Sequence, residues 1–269
     1  MSLRKMTPPC AVVIALGIAC SEGTGPSEGE GSVTLRIVAG SSPVAAAAPD
    51  SVRVAGHLLV LEQVEIVLRE IKLKRANGSD ACARSGDDHG EKNGRDHADR
   101  DCRPFVTGPL LVDLPLGGAP EKLVTVDVDA GTYRRVKFKL HKPDNDDGDA
   151  SFLAEHPDFR NVSVRVRGTF DGRDFEYLND VTAEQESLLD PPLEVTERAS
   201  RNLTLVVDAA TWFIRGGVGL IDPMSALDGE PNENVVRDNI KRSFRLFEDD
   251  DADGDEDDDD HDEDDDDDG

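Results

Sequence analysis

Val64-Glu65-Ile66-Val67-Leu68-Arg69-Glu70-Ile71-Lys72-Leu73 is the stretch that decides the fold. Val64, Ile66 and Leu68 alternate with their neighbours, and Ile71 and Leu73 resume the alternation after a one-residue slip at Arg69 and Glu70. A period of two is the signature of a strand with one buried face, and a slip that moves the apolar set to the other parity is the signature of a bulge. Working outward, the same period appears in Val33, Leu35 and Ile37, in Val52 and Val54, and in Leu110 to Leu114. It continues in Val124, Val126 and Val128 and in Val136, Phe138 and Leu140. Val162, Val164 and Val166 lead through Phe170 to Asp171-Gly172, a pair that favours a two-residue hairpin, followed by Phe175 and Tyr177. Leu203, Leu205 and Val207 form a late strand. About eight short strands without long helices between them predict an all-β fold, an antiparallel β-sandwich or barrel over residues 32–215.

One amphipathic helix is predicted over 232–247, after a linker at 216–231. Val236, Ile240, Phe244 and Phe247 make its stripe, Pro231, Asn232 and Glu233 its start, and Arg242 and Arg245 suit its carboxyl end. Its expected place is docked on an edge or end of the sandwich.

The sequence has 269 residues, is 37% hydrophobic and carries 57 acidic against 30 basic side chains. Residues 248–269 hold 18 of those acids and no base, so the remaining 247 residues carry 39 acids and 30 bases, a net of −9. The extreme acidity is therefore local, and 248–269 reads as a disordered polyacidic tail whose like charges repel. This charge balance disfavours a nucleic-acid binder, which needs a basic face to meet phosphate. The longest apolar run falls short of the roughly 20 residues that span a bilayer.

Residues 1–19 read as a signal peptide: Arg4 and Lys5, then an apolar run from Cys10 through Ala19. Leu16-Gly17-Ile18-Ala19-Cys20 resembles the lipobox of bacterial lipoproteins, departing from it at Gly17, one place from Leu16. That resemblance implies cleavage before Cys20, lipidation of its thiol, a lipidated linker over 20–31, and a membrane anchor. Ser21, where an Asp would favour the inner membrane, directs the expected location to the outer membrane or cell surface. Cys82 and Cys102 flank a polar insertion (75–104, expected to be disordered), and export makes a disulfide between them the expectation. The rival is a metal site with His89 and His97, although ligand spacing does not support it.

Val64 to Leu73, the Leu110-Leu111-Val112-Asp113-Leu114 segment, the Ala130-Gly131-Thr132-Tyr133 turn, the Asp171-Gly172 hairpin and Leu203 to Asp208 together resemble an uncharacterised lipoprotein domain family of bacteria. The resemblance covers residues 32–213 and implies a secreted sandwich, prealbumin-like or immunoglobulin-like, of unknown function. The long charged insertion departs from the family's pattern, and no catalytic residues come with it.

Asp249, Asp251, Asp253, Gly254, Asp255, Asp257 and Asp260 fit D-x-D-x-D-G, with oxygen ligands at the offsets of a calcium loop. Asp260 replaces the longer Glu expected at position twelve, Glu256 replaces an apolar residue at position eight, and no amphipathic helix follows. Two readings stay open: a defined Ca²⁺ site, and a solvated polyacid that attracts divalent cations or basic partners weakly and diffusely. Asp144 to Asp149 forms a second acidic loop, read as a surface turn because Pro143 occupies the first ligand place; His141 and His156 flank it. Trp212 reads as a core anchor. The sequence contains no nucleophile elbow, zinc-protease helix, phosphate loop or dinucleotide fingerprint. The expected function is a non-enzymatic, lipid-anchored binding or surface-interaction module of the cell envelope. The alternative is an envelope hydrolase of polysaccharide using paired carboxylates among Glu184, Glu186, Asp190, Glu194 and Glu197.

Overall fold

A computed structural model describes residues 29–40, 51–76, 102–216, 219–254 and 256. The proposed leader and Cys20, residues 77–101 with Cys82, His89 and His97, and Asp255, Asp257 and Asp260 lie outside them.

Fourteen strands among the described residues form two principal sheets and one small ribbon. The first sheet is built on β1 (Glu30–Ala39). It pairs antiparallel with β6 (Glu121–Asp129), Val33 opposite Val126, and parallel with β11 (Ser200–Val207), Leu35 opposite Leu203. β14 (Phe244–Glu248) closes the other side of β11, Leu205 opposite Leu246. The β1–β11 pair corrects the expectation of a wholly antiparallel sandwich; the intervening chain makes the crossover that a parallel pair requires.

The second sheet hangs on β3 (His57–Arg75), which contains the deciding stretch. One edge of β3 takes β2 (Ser51–Val54), β5 (Leu110–Asp113) and β4 (Cys102–Val106). The opposite edge takes β8 (Val164–Phe170) and then β7 (Gly131–Leu140). β9 (Arg173–Asn179) extends β8, and β10 (Ala183–Val195) extends β7. At 19 residues β3 is long enough to serve three neighbours on one edge and two on the other, and it bulges along the way: the register shifts between Arg69 and Lys72, and Glu70 takes a positive φ of 52°. Val64, Ile66, Leu68, Ile71 and Leu73 are consequently all buried despite their change of parity. Asp171 and Gly172 both have positive φ, 50° and 76°, as the tight β8–β9 hairpin demands.

Inward residues of both sheets share one core, from Leu35 and Leu205 to Val136, Phe138 and Tyr177. Trp212 sits in it wholly buried, its indole N–H donating to Ser243 Oγ at 2.7 Å, the core anchor that was expected. A short ribbon, β12 (Ile214–Arg215) and β13 (Gly219–Leu220), and a 3-10 turn at Pro223–Ala226 lie where a linker was expected. Helix α1 (Ala150–Glu155) covers Val67 on the outer face of β3 through Phe152 and Leu153.

Helix α2 (Glu233–Arg242) buries Val236 and Ile240 in the core, so the docked helix is present but shorter than 232–247. At Ser243 the chain leaves the helix, and Phe244–Glu248 becomes the strand that satisfies the edge of β11. Sheet pairing overrides the helical spacing, because an unpaired edge leaves a row of backbone donors and acceptors unsatisfied. Two further boundaries move. Strand β10 occupies a stretch whose Glu184, Glu186 and Asp190-Pro191-Pro192 look loop-like; its register shifts between Leu188 and Leu193, which splits the alternation. Strand β4 starts inside the expected 75–104 insertion.

Candidate functional site

Alternation in β11 turns Leu203, Leu205 and Val207 inward and Thr204 and Val206 outward. On that outer face Val206 packs with Val38 and Phe247, and Thr204 is completely buried under the chain that leaves β14. Its hydroxyl donates to Asp249 Oδ2 at 2.6 Å. The same carboxylate accepts the Gly254 N–H at 3.1 Å, and its other oxygen accepts the Asp253 N–H at 3.1 Å. Asp251 Oδ1 also accepts from the Asp253 N–H, at 3.2 Å. Aspartates readily form such local side-chain to backbone bonds, so the sequence itself winds the chain around Asp249. Gly254 completes the turn with a φ of 94°, and a Cβ there would lie 2.7 Å from Pro120 Cγ. This position needs glycine for both reasons.

The result is a sorting of side chains along 248–253. Glu248 and Asp250 reach Arg201, at 3.6 and 3.4 Å. Asp249, Asp251 and Asp253 each present a carboxylate oxygen to one region, all within 4.8 Å of one another. Asp249 is wholly buried, and Asp251 and Asp253 are exposed. Charges this close lie well inside a Debye length of about 8–10 Å, so salt scarcely relieves their repulsion. An all-oxygen, anionic donor set suits a hard cation, and this acidic triad can bind a metal ion. Among the described residues, the predicted ligands Asp249, Asp251 and Asp253 are thus brought together; the turn they form corrects the expectation of disorder from 248 onward, at least through Gly254. A cleft of about 280 Å³ adjoins the triad, floored by Val38, Val206 and Phe247 and walled by Arg245, Asp253 and Glu256. Thr204 and Arg245 were not legible as site residues, since only the pairing of β11 with β14 brings them to the aspartates.

The second acidic loop is organised differently. Asp149 is fully buried rather than part of a surface turn. Its carboxylate meets His141 Nε2 at 2.8 Å and Arg69 Nη1 at 3.1 Å, and accepts the Asp144 N–H at 3.0 Å. His156 instead packs on Phe152, ring centroids 4.9 Å apart. The loop carboxylates therefore do not converge with the two histidines on a common point.

On the outer face of β10, Glu184 and Glu186 oppose Lys139 and Lys137 in register. Glu186 lies 2.8 Å from Lys137, 3.2 Å from Arg135 and 3.9 Å from Lys74. Burial raises its pKa, but the hydrogen bond and field of Lys137, with those of Lys74 and Arg135, bring it below the ordinary carboxylate value. Lys137 is held well above the usual ammonium range, first by its hydrogen bond to Glu186. Asp208, at the end of β11, has a buried Oδ1 without a hydrogen-bond partner, and desolvation raises its pKa against the opposing field of Arg245. Cys102 opens β4 opposite Lys74. No helix among the described residues is long and apolar enough to cross a membrane.

No family model matches the chain, and no curated protein does. Among solved structures it is similar to MbnP from Methylosinus trichosporium, with 12% identity, coverage of 81% of this chain and 98% of that one, and a TM-score of 0.40.

Proposed function

We propose that the protein is a non-enzymatic module of the cell envelope that binds Ca²⁺ at the turn following β14. The observation that carries this reading is the convergence of Asp249, Asp251 and Asp253 on one region, in the register read from the sequence. Asp249 is fixed by Thr204, and the exposed Asp251 and Asp253 face solvent from which a cation can enter. Ca²⁺ accepts six to eight oxygens in flexible geometry, which a short aspartate turn can supply in part and the following Asp255, Asp257 and Asp260 can complete. The remaining carboxylates of the tail add diffuse, salt-screened attraction for cations and basic partners. A lipid on Cys20 would hold the module at the outer membrane or cell surface, in keeping with the leader-like first 19 residues.

Calorimetric titration of Ca²⁺ into the lipid-free chain tests the site. A saturable event that disappears in the Asp251→Asn/Asp253→Asn variant is the expected outcome. Equal heats in variant and parent would discard the defined site. Mass spectrometry of the membrane fraction, reading the amino-terminal peptide, tests the anchor: an unmodified Met1 terminus would overturn it.

A further inference from the structure

Val38, Val206 and Phe247 come from three strands, β1, β11 and β14, and are buried although they stand outside the shared core. They floor the cleft of about 280 Å³ that opens beside the acidic turn. The turn itself roofs one side, for a Cβ on Gly254 would lie 3.7 Å from Val38 Cγ1. Gly40, Gly117 and Gly118 line the rest with backbone. Arg245, opposite Val206 in the β11–β14 pairing, stands exposed in the cleft wall. Arg165, Arg167 and Arg237 each hold a carboxylate. Arg245, among the described residues, has neither an ion pair nor a hydrogen bond, and Asp208 feels its field without bonding to it.

We propose that this cleft takes a small ligand with a carboxylate head and an aliphatic body, and that it does so when the acidic turn holds its cation. The inference rests on the Ca²⁺ reading of that turn. A guanidinium presents a planar fork of donors that matches a carboxylate, so Arg245 receives the head, and the apolar floor receives the body. Asp253 and Glu256 share the wall with Arg245 and repel an anion while the turn is empty. Ca²⁺ takes the three triad carboxylates from a charge of −3 to −1 and sets a positive centre beside Asp253, so the same wall then favours the anion. The coupling is reciprocal: the ligand tightens Ca²⁺ by the factor by which Ca²⁺ tightens the ligand.

Titration of hexanoate into the isotope-labelled, lipid-free chain, followed by the amide resonances of Arg245, Phe247 and Gly254, tests the proposal. Saturable shifts are expected with Ca²⁺ present, weakened roughly tenfold when a chelator replaces it. Hexanol and hexylamine, which share the body but not the head, are expected to give no saturable shift there in Ca²⁺. Arg245→Gln should weaken hexanoate roughly tenfold and abolish its tightening of Ca²⁺, and Arg245→Lys should restore part of both. Equal binding of hexanol, a preference for hexylamine, unchanged binding to Arg245→Gln, or indifference to the chelator would each overturn the proposal. A saturable Ca²⁺ event with no response to hexanoate would overturn it and leave the cation reading standing. The absence of any Ca²⁺ event would fell the cation reading and this inference with it.

Discussion

Two aspartate-rich loops on opposite sheets each bury one carboxylate completely, and their surroundings differ. Asp149 is enclosed with a guanidinium and an imidazole, Arg69 and His141, while Asp249 is enclosed with a hydroxyl and two backbone N–H groups. The first negative charge is answered within the protein. The second is hydrogen-bonded, with no ion pair to a basic side chain among the described residues, and two more carboxylates stand within 4.8 Å of it. Composition alone does not separate a structural clasp from a cation site; what separates them is whether a cationic side chain shares the enclosure.

The strongest way to break this comparison is to remove the clasp. Asp149→Ala leaves Arg69 and His141 facing a void at the base of α1, and loss of one member of a buried pair costs about 3 kcal/mol. Urea denaturation is expected to show that loss equally with and without Ca²⁺. A loss below about 1 kcal/mol would place the clasp among the weak surface pairs.

The cation site responds in the opposite sense. Without Ca²⁺, Asp251→Asn/Asp253→Asn should be no less stable than the parent, because it removes repulsion between close carboxylates. With Ca²⁺ at 100 times its dissociation constant, the parent gains about 2.7 kcal/mol and the variant does not. Thermal unfolding with and without the cation reads both arms. An Asp149→Asn protein should keep the Ca²⁺ response, and losing it would mean that the two loops are coupled.

The parts of this picture that are local in sequence were legible. The alternation of Val64 to Leu68 and its slip at Arg69-Glu70 announced both strand and bulge, because parity is a property of neighbouring residues. Asp249, Asp251 and Asp253, spaced two apart in sequence, lie together because a tight turn gathers alternate side chains. Features that depend on distant pairing were not legible. Val236, Ile240, Phe244 and Phe247 have helical spacing, yet the need of β11 for an edge partner converts the last two into strand. Strand β10 was hidden because its outward residues are carboxylates answered by lysines on β7, 47 residues away in the case of Lys137 and Glu184. Asp149 looked solvated because nothing near it in sequence names Arg69 as its partner.

Thr204 sharpens the comparison at the level of one hydroxyl. It holds the Asp249 carboxylate from the neighbouring strand, so Thr204→Val keeps the shape and removes the donor. A hydrogen bond to a charged acceptor contributes roughly 1.5–3 kcal/mol, and about 1 kcal/mol of net destabilisation is expected once packing of the valine is counted. Ca²⁺ affinity should fall with it, because the ligand oxygen is no longer oriented. Unchanged affinity in calorimetry would mean that the N–H groups of Asp253 and Gly254 position Asp249 by themselves.

Asp208 is a third case, with neither a cationic side chain bonded to it nor a donor on its buried Oδ1. Its folded-state pKa lies above the unfolded value of 3.8 because burial disfavours the ionised form more strongly than Arg245 favours it. A raised carboxylate pKa means that the folded state binds the proton better than the unfolded state does. The associated stability is fully present below pH 3.8 and is lost as pH rises through the folded pKa. Asp208→Asn cannot ionise, so it should exceed the parent in stability at neutral pH by a margin that closes as pH falls below 3.8. Parallel urea curves at several pH values read that margin. A gap that stays constant with pH would show that the ionised carboxylate is not penalised by its burial, and enclosure without a partner would then cease to distinguish Asp208 from Asp249.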